Sequence, residues 1–287
     1  GQASFGTARR WKLREALQRS RASAKASILP PPASASSSRP ASAAFPPPRL
    51  LNITPLQNYG NTCFLNAVLQ CLRAVCNRLA VAIPADGVCP LSQLLSAPDG
   101  ARNAFRHIVS THPLWRELVF RQQQDAHEAL RLLLNGEHGM HNRCTHQTCF
   151  ARKMTELFAV QIQSSLACTE AHCSWHTHPP ADPGSDVSMA IRPGILQTLL
   201  SDFEMSEFLA ADDDYVCRAC AGLVQKTLHV QPLGRALLLH LKRFEFNRAG
   251  RKRRDVVPFP RTLAFGSAQY AFAALVEHIG PTLGAGH

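Results

Sequence analysis

Asn58-Tyr59-Gly60-Asn61-Thr62-Cys63-Phe64-Leu65-Asn66-Ala67-Val68-Leu69-Gln70-Cys71-Leu72 is the stretch around which the rest of the chain is read. Asn61 and Thr62 are N-cap residue types, and Leu65, Val68, Leu69, Leu72, Val75 and Leu79 follow at helical spacing. The pattern predicts an amphipathic helix with Cys63 in its first turn. Unpaired N–H groups and the positive end of the helix dipole gather there, and both favour a thiolate, the nucleophilic form of cysteine. Gly60 permits a sharp turn into the helix, and Asn58 is near enough to offer an amide donor beside the sulfur. Periodicity alone still favours a plainer reading, a small buried thiol at an ordinary helix start. More distant segments decide between the two.

The chain has 287 residues, enough for one large domain or two small ones. It contains no apolar run of about 18 residues that could span a membrane, and no compact secretory h-region. Its first residue is Gly, as expected of a processed or partial chain. Of the net charge of +11, most lies in the first fifty residues, where nine basic side chains face Glu15 alone. No basic face interleaved with aromatics follows, so a nucleic-acid-binding core is not expected. Ten cysteines in a chain of this length, several closely paired, point to a metal in a reducing compartment rather than to a disulfide scaffold. Cytosol or nucleus is the expected location.

Residues 1–50 read as a disordered basic tail rich in Ala, Ser and Pro, with a short basic helix at Trp11–Arg21. Too little apolar surface is available there to offset the entropy of ordering. An Arg- and Ser-rich, acid-poor start also resembles an organelle transit peptide, a weaker reading. The folded part begins near Leu51 and runs to His287. After the Cys63 helix the pattern predicts a connection at Ile83–Pro90 and a helical region with a break at Pro113. A helix around Gln122–Leu134 follows, stopped by Asn135-Gly136. Strands are expected at Leu157–Ile162, Leu237–Phe244 and Tyr270–His278. Helices first and strands afterwards make an α+β fold.

Cys168 and Cys173 bracket four residues, and Cys217 and Cys220 bracket two. Two such knuckles beside strands suit a tetrahedral four-thiolate zinc site, although His172 could replace one ligand of the looser pair. His138, His141, Cys144, His146 and Cys149 are also metal-binding types, but without ligand spacing they read as a solvated surface loop. A cysteine nucleophile needs a general base that is remote in sequence and close in space. His240 sits in an apolar strand and reads as a satisfied sheet residue. His278-Ile279-Gly280 and Gly286-His287 place two imidazoles around a tight Gly-rich loop, and either could serve.

Leu56 through Asn66 resembles the cysteine box of the ubiquitin-specific proteases. The likeness continues, in family order, through Gln123-Gln124-Asp125-Ala126-His127-Glu128, the cysteine knuckles and His240-Leu241-Lys242-Arg243-Phe244. It extends to Val257-Pro258-Phe259-Pro260 and Tyr270 through His287. The resemblance implies a papain-like fold with a helical thumb, a β palm and zinc-ribbon β fingers that hold ubiquitin. It implies Cys63 as nucleophile, His287 as general base, Asn58 as oxyanion donor and Asp125 as partner of an arginine in the ubiquitin tail. His278 is then the upstream, non-catalytic histidine of its box. Cys168, Cys173, Cys217 and Cys220 would hold a structural zinc.

Three departures from the family pattern stand out. The first knuckle is wider than the usual two-residue spacing. Ala129 stands where Phe is usual. The family continues beyond the Gly-His pair with Tyr, further strands and an Asn or Asp that orients the histidine, so residues 51–287 are expected to be an incomplete catalytic domain. The main expectation is a cysteine-type deubiquitinase. The alternative is an inactive ubiquitin-binding pseudoenzyme or scaffold, and a third reading keeps only the zinc ribbon as an interaction module. The run Arg251-Lys252-Arg253-Arg254 between two strands is expected to be a solvated loop.

Overall fold

A computed structural model describes residues 55–58, 62–84, 89–96, 124–134, 149–209, 215–244, 252–282 and 286–287. The N-terminal tail, the Pro113 break, the Asn135-Gly136 stop and the His138–His146 cluster lie outside the described residues. The described elements run α1 (Cys63–Arg78), α2 (Pro90–Ser96), α3 (Ala126–Leu134), α4 (Phe150–Leu157), β1 (Val160–Cys168), β2 (His176–Thr177), β3 (Asp182–Gly184) and β4 (Val187–Ala190). They continue with α5 (Leu196–Phe203), β5 (Glu207–Leu209), β6 (Val224–Pro232), β7 (Leu239–Lys242), β8 (Thr262–Phe265) and β9 (Ala268–Ala271).

The chain divides into two compact units. One comprises 162–182 and 201–230 among the described segments, and the other 47–161, 183–200 and 231–287. The larger unit is built on the helices. Leu65, Val68, Leu69 and Leu72 of α1 are buried with Leu91, Leu94, Leu133, Phe150 and Met154 of α2, α3 and α4. Val75 and Leu79, the last of the periodic positions, pack at the edge of this cluster. Each fully buried Leu or Met contributes about 1.5–3 kcal/mol. Polar groups close the helix ends: Arg73 Nε donates to Leu95 O at 2.8 Å, and Thr155 Oγ1 donates to Leu134 O at 2.6 Å. Ala129, where the family pattern has Phe, is fully buried in the same cluster.

The same unit carries a parallel pair, β4 and β7, in which Ser188 stands opposite His240, and a hairpin, β8 and β9. Gly266 turns this hairpin at φ 57, a conformation that disfavours a side chain. The smaller unit is built on a sheet in the order β2-β1-β6-β5, with antiparallel registers such as Leu166↔Thr177 and Leu209↔Val224.

Three expectations change. Residues 150–157 and 196–203 are helices, so the chain does not simply pass from helices to strands; both segments are short and their apolar faces show only in helical projection. The expected strand at 157–162 begins at Val160, because Leu157 ends α4. Of the expected strand Tyr270–His278 only the first two residues belong to β9, while Phe272, Leu275 and Val276 are exposed.

Candidate active site

Cys63 is the first residue of α1 and is half-buried, whereas Cys76, near the other end of the helix on its core face, is buried beside Met154 at 3.6 Å. The plain buried-thiol reading therefore fits Cys76 and not Cys63. Burial pushes the Cys76 thiol up to about 11, which keeps it protonated and inert. Thr62 is the N-cap, but its hydroxyl does not bond back to the helix. Instead Thr62 N–H and Oγ1 both donate to Asn58 Oδ1, at 3.1 and 3.0 Å. A backbone N–H can only donate, so the oxygen of the Asn58 amide must face Thr62. The amide nitrogen is left without a partner among the described residues. Asn66, one turn into the helix, donates to Gln57 O at 3.1 Å and so anchors the segment that presents Asn58. This anchoring role was invisible in the sequence, where Asn66 is only a polar residue on a helix.

Asp125 opens α3. Its Oδ1 accepts from His127 N–H at 2.7 Å, capping the helix, and the side chain is exposed. Two residues on, the His127 ring leaves the helix sideways: its Nε2 donates to Asp186 Oδ2 at 3.0 Å and its face stacks on His240 at 3.6 Å and 13°. Ser188 Oγ donates to the same Asp186 oxygen at 3.1 Å, which uses its single proton, so His240 Nδ1 must donate to Ser188 at 2.7 Å. His240 is thus a satisfied sheet residue, as the sequence predicted. Burial, followed by the repulsion of His127, draws its pKa down to about 4. Burial would raise the Asp186 pKa, but the His127 bond, the charges of His127 and Arg131 and the Ser188 bond outweigh it and hold the carboxyl below its ordinary range. His127, Asp186 and His240 place donor atoms close together. Two nearly parallel imidazoles send their lone pairs side by side rather than to one point, so the group is a hydrogen-bond relay and not a metal cage. No sequence signal marked Asp186 or Ser188; parallel pairing of β4 with β7 brings them to His240.

His287 exchanges both backbone bonds with Ile279, at 2.8 and 2.7 Å. Its side chain is exposed, and among the described residues it shares no hydrogen bond with Cys63.

In the smaller unit the four predicted ligands converge. Cys168 and Cys220 lie 3.5 Å apart at sulfur, Cys173 and Cys217 3.7 Å, and all four sulfurs fall within 4.8 Å of one another. Zinc–sulfur bonds of about 2.3 Å place the corners of a tetrahedron about 3.8 Å apart, so the set fits a four-thiolate metal site. Glu170 N–H donates to Cys168 Sγ at 3.5 Å and Ala219 N–H to Cys217 Sγ at 3.4 Å, orienting both knuckles. The extra length of the first knuckle is absorbed by a turn in which Cys173 N–H donates to Glu170 O, and His172 is exposed outside the ligand set. A Cβ on Gly222 would press on the Glu170 side chain and come within 3.2 Å of Cys220 Sγ, so the two knuckles approach closely at this glycine. Without a cation, burial opposes the Cys217 thiolate, yet the Ala219 and Cys220 N–H groups and neighbouring thiols draw it to about 7. The Gly222 N–H draws Cys220 down, but burial and the hydrogen bonds shared with Cys168, Cys173 and Cys217 outweigh it and push this thiol up to about 12. A divalent cation would remove this mutual opposition. Cys149, expected in a solvated loop, is instead buried, with its sulfur 3.8 Å from Cys89.

Residues 54–287 match the family model described as ubiquitin carboxyl-terminal hydrolase. The chain belongs to the ubiquitin carboxyl-terminal hydrolase family. Ubiquitin carboxyl-terminal hydrolase 23 of Arabidopsis thaliana is 30% identical over 269 residues, covering 81% of this chain and 30% of that protein. Ubiquitin carboxyl-terminal hydrolase 2 of Homo sapiens is 31% identical over 294 residues, covering 81% of this chain and 48% of that protein. A SAGA DUB module containing Ubp8, Sgf11, Sus1 and Sgf73, bound to monoubiquitin, superposes with a TM-score of 0.63 at 25% identity, covering 81% of this chain and 59% of that one. The chain spans half or less of these two relatives' length. Membership of the hydrolase family accounts for the α+β architecture and for the order of its boxes. Within the family pattern, the wide first knuckle and Ala129 are local variations that the fold accommodates.

Proposed function

We propose that the chain carries the catalytic region of a deubiquitinating thiol protease. Its substrate is the isopeptide or peptide bond after the C-terminal glycine of ubiquitin, and its partners are ubiquitin and ubiquitinated proteins. One observation carries the reading: a half-buried cysteine opens α1 beside an Asn58 amide whose oxygen is committed to Thr62 and whose nitrogen is not.

In this reading His287 takes the Cys63 proton and the thiolate adds to the glycine carbonyl carbon. A carbon–sulfur bond forms, and the carbonyl electron pair moves to oxygen, where Asn58 Nδ2 donates to it. His287 returns the proton to the leaving amine as the carbon–nitrogen bond breaks, leaving a thioester. Water then gives a proton to His287, adds to the thioester and releases the ubiquitin carboxylate and Cys63. Asp125, exposed at the start of α3, pairs with the cationic side chain of the ubiquitin tail. Cys168, Cys173, Cys217 and Cys220 hold a structural zinc that ties two knuckles together. Among the described residues no helix is long and apolar enough to cross a membrane. A reducing location, cytosol or nucleus, suits free thiols and the metal cluster.

Incubating the protein with ubiquitin bearing a C-terminal electrophile tests the reading. An adduct on Cys63 is expected, and its absence from a folded sample overturns the proposal. One observation favours a second reading, a ubiquitin-binding pseudoenzyme: the Cys63 and His287 side chains share no hydrogen bond among the described residues. That reading requires ubiquitin binding without hydrolysis of a fluorogenic ubiquitin amide, and turnover of that substrate excludes it.

A further inference from the structure

The basic run at 251–254 was expected to be solvated, but Lys252 is not. It is bridged to Phe244 across a short antiparallel pair, and its ammonium turns inward. Nζ donates to His278 O at 2.7 Å, to Gly280 O at 2.8 Å and to His278 Nδ1 at 3.1 Å. Three ammonium protons meet three acceptors. The Phe244 ring packs edge-on against His278 at 5.4 Å and lies 5.9 Å from the ammonium, closing the apolar side of the contact.

The geometry around residues 278–280 gives this cluster its consequence. Along extended backbone successive residues present their polar groups to opposite sides. The carbonyls of His278 and Gly280 face Lys252, and the N–H and C=O of Ile279 face the other way, into the reciprocal pair with His287. Lys252 therefore occupies the place of a neighbouring strand on one side of this segment, while His287 pairs on the other. Acceptance at Nδ1 also fixes the tautomer of His278. Its proton sits on Nε2, a buried atom with no partner among the described residues. That atom faces Gly286, where a Cβ would come within 2.5 Å of Nε2 and 2.6 Å of Ile279 O. The Gly286-His287 backbone thus lies tightly against a segment whose orientation one ammonium sets.

We infer that Lys252 is a positioning residue for His287, acting through the 278–280 segment and the Ile279–His287 backbone pair. The inference rests on the reading of His287 as general base. Displacing a base by about 1 Å costs on the order of 100-fold in turnover, so Lys252→Met, which keeps length and loses all three bonds, is expected to lower kcat by about that factor. KM is expected to stay within a few-fold.

A double-mutant cycle on the full chain separates positioning from general destabilisation. Hydrolysis of a fluorogenic ubiquitin amide is compared for wild type, Lys252→Met, His287→Ala and the double variant, with melting temperature as a check on folding. The pH dependence of Cys63 alkylation reads the thiolate directly. Lys252→Met is expected to shift that profile in the same direction as His287→Ala, and to cost nothing further in the His287→Ala background. Equal losses in both backgrounds, or wild-type kcat and alkylation profile in a folded Lys252→Met variant, overturn the positioning role. If His287→Ala alone keeps wild-type turnover, the general-base reading fails and this inference with it, so the two failures are told apart. Should Lys252→Met not fold, Lys252→Arg enters the same cycle. Its planar guanidinium keeps the charge but cannot meet three acceptors converging on one nitrogen, and the same criteria apply.

Discussion

The two regions that carry cysteine chemistry are built in opposite ways. Around Cys63 the scaffold stands without any bound group: α1 to α4 share a large apolar core, and the proposed nucleophile is presented at the first residue of α1. Around Cys168, Cys173, Cys217 and Cys220 the buried core reduces to Leu209, Cys217 and Val224, so the ligands are themselves much of the interior. One region uses stability supplied elsewhere to position one sulfur. The other, in the proposed reading, is stable only with its four sulfurs joined by a metal. Removing a sulfur should therefore abolish chemistry in the first region and structure in the second.

The largest contrast is expected at Cys63. Cys63→Ala should lower hydrolysis of a ubiquitin amide by roughly 10⁴-fold or more, with an unchanged melting curve; a large loss of stability would place this sulfur in the core with Cys76. Cys217→Ser or treatment with a chelator should do the reverse. Metal binding in such sites is worth on the order of 10 kcal/mol, and amide exchange should show β1, β5 and β6 losing protection while α1 to α4 keep theirs. Bound zinc, measured by release on thiol modification, should approach one ion per chain; a chain that retains exchange protection without metal would break the comparison.

Asn58→Ala sharpens the first half of it. Loss of one oxyanion donor costs about 100-fold in kcat, and Asn58 is exposed, so little stability should go with it. A still smaller effect belongs to His240. Its pKa is depressed from 6.5 to about 4, so the fold favours the neutral ring. The stabilisation is fully present above the unfolded value of 6.5 and is lost as pH falls toward 4. Denaturant titrations should show about 3 kcal/mol disappearing across that window, and His240→Gln should flatten the dependence. Ser188→Ala should cost about 1 kcal/mol and weaken the link between His127 and the β4–β7 pair, readable in the same titrations.

Much of the site was legible because its parts are local. A cysteine after Asn and Thr at the head of an apolar 3.6-residue pattern must open a helix, and four cysteines in two knuckles beside strands must meet if those strands pair. Cys149 was misplaced because metal-binding residue type says nothing about burial. Tyr270–His278 was overextended because an apolar run does not reveal whether a partner strand lies beside it.

By itself the sequence determined the helix that presents Cys63, the four cysteines that converge, the box that bears Asp125 and the candidate bases, since each depends on spacing along the chain. Tertiary structure alone decided which end of the Asn58 amide is available, why His240 stays neutral, and where the Lys252 ammonium goes. The first is a choice between the two ends of one amide made by Thr62 four residues on, and the other two are choices among hydrogen-bond partners tens of residues apart. Backbone pairing settles those two, as when β4 lies against β7 and Ile279 against His287.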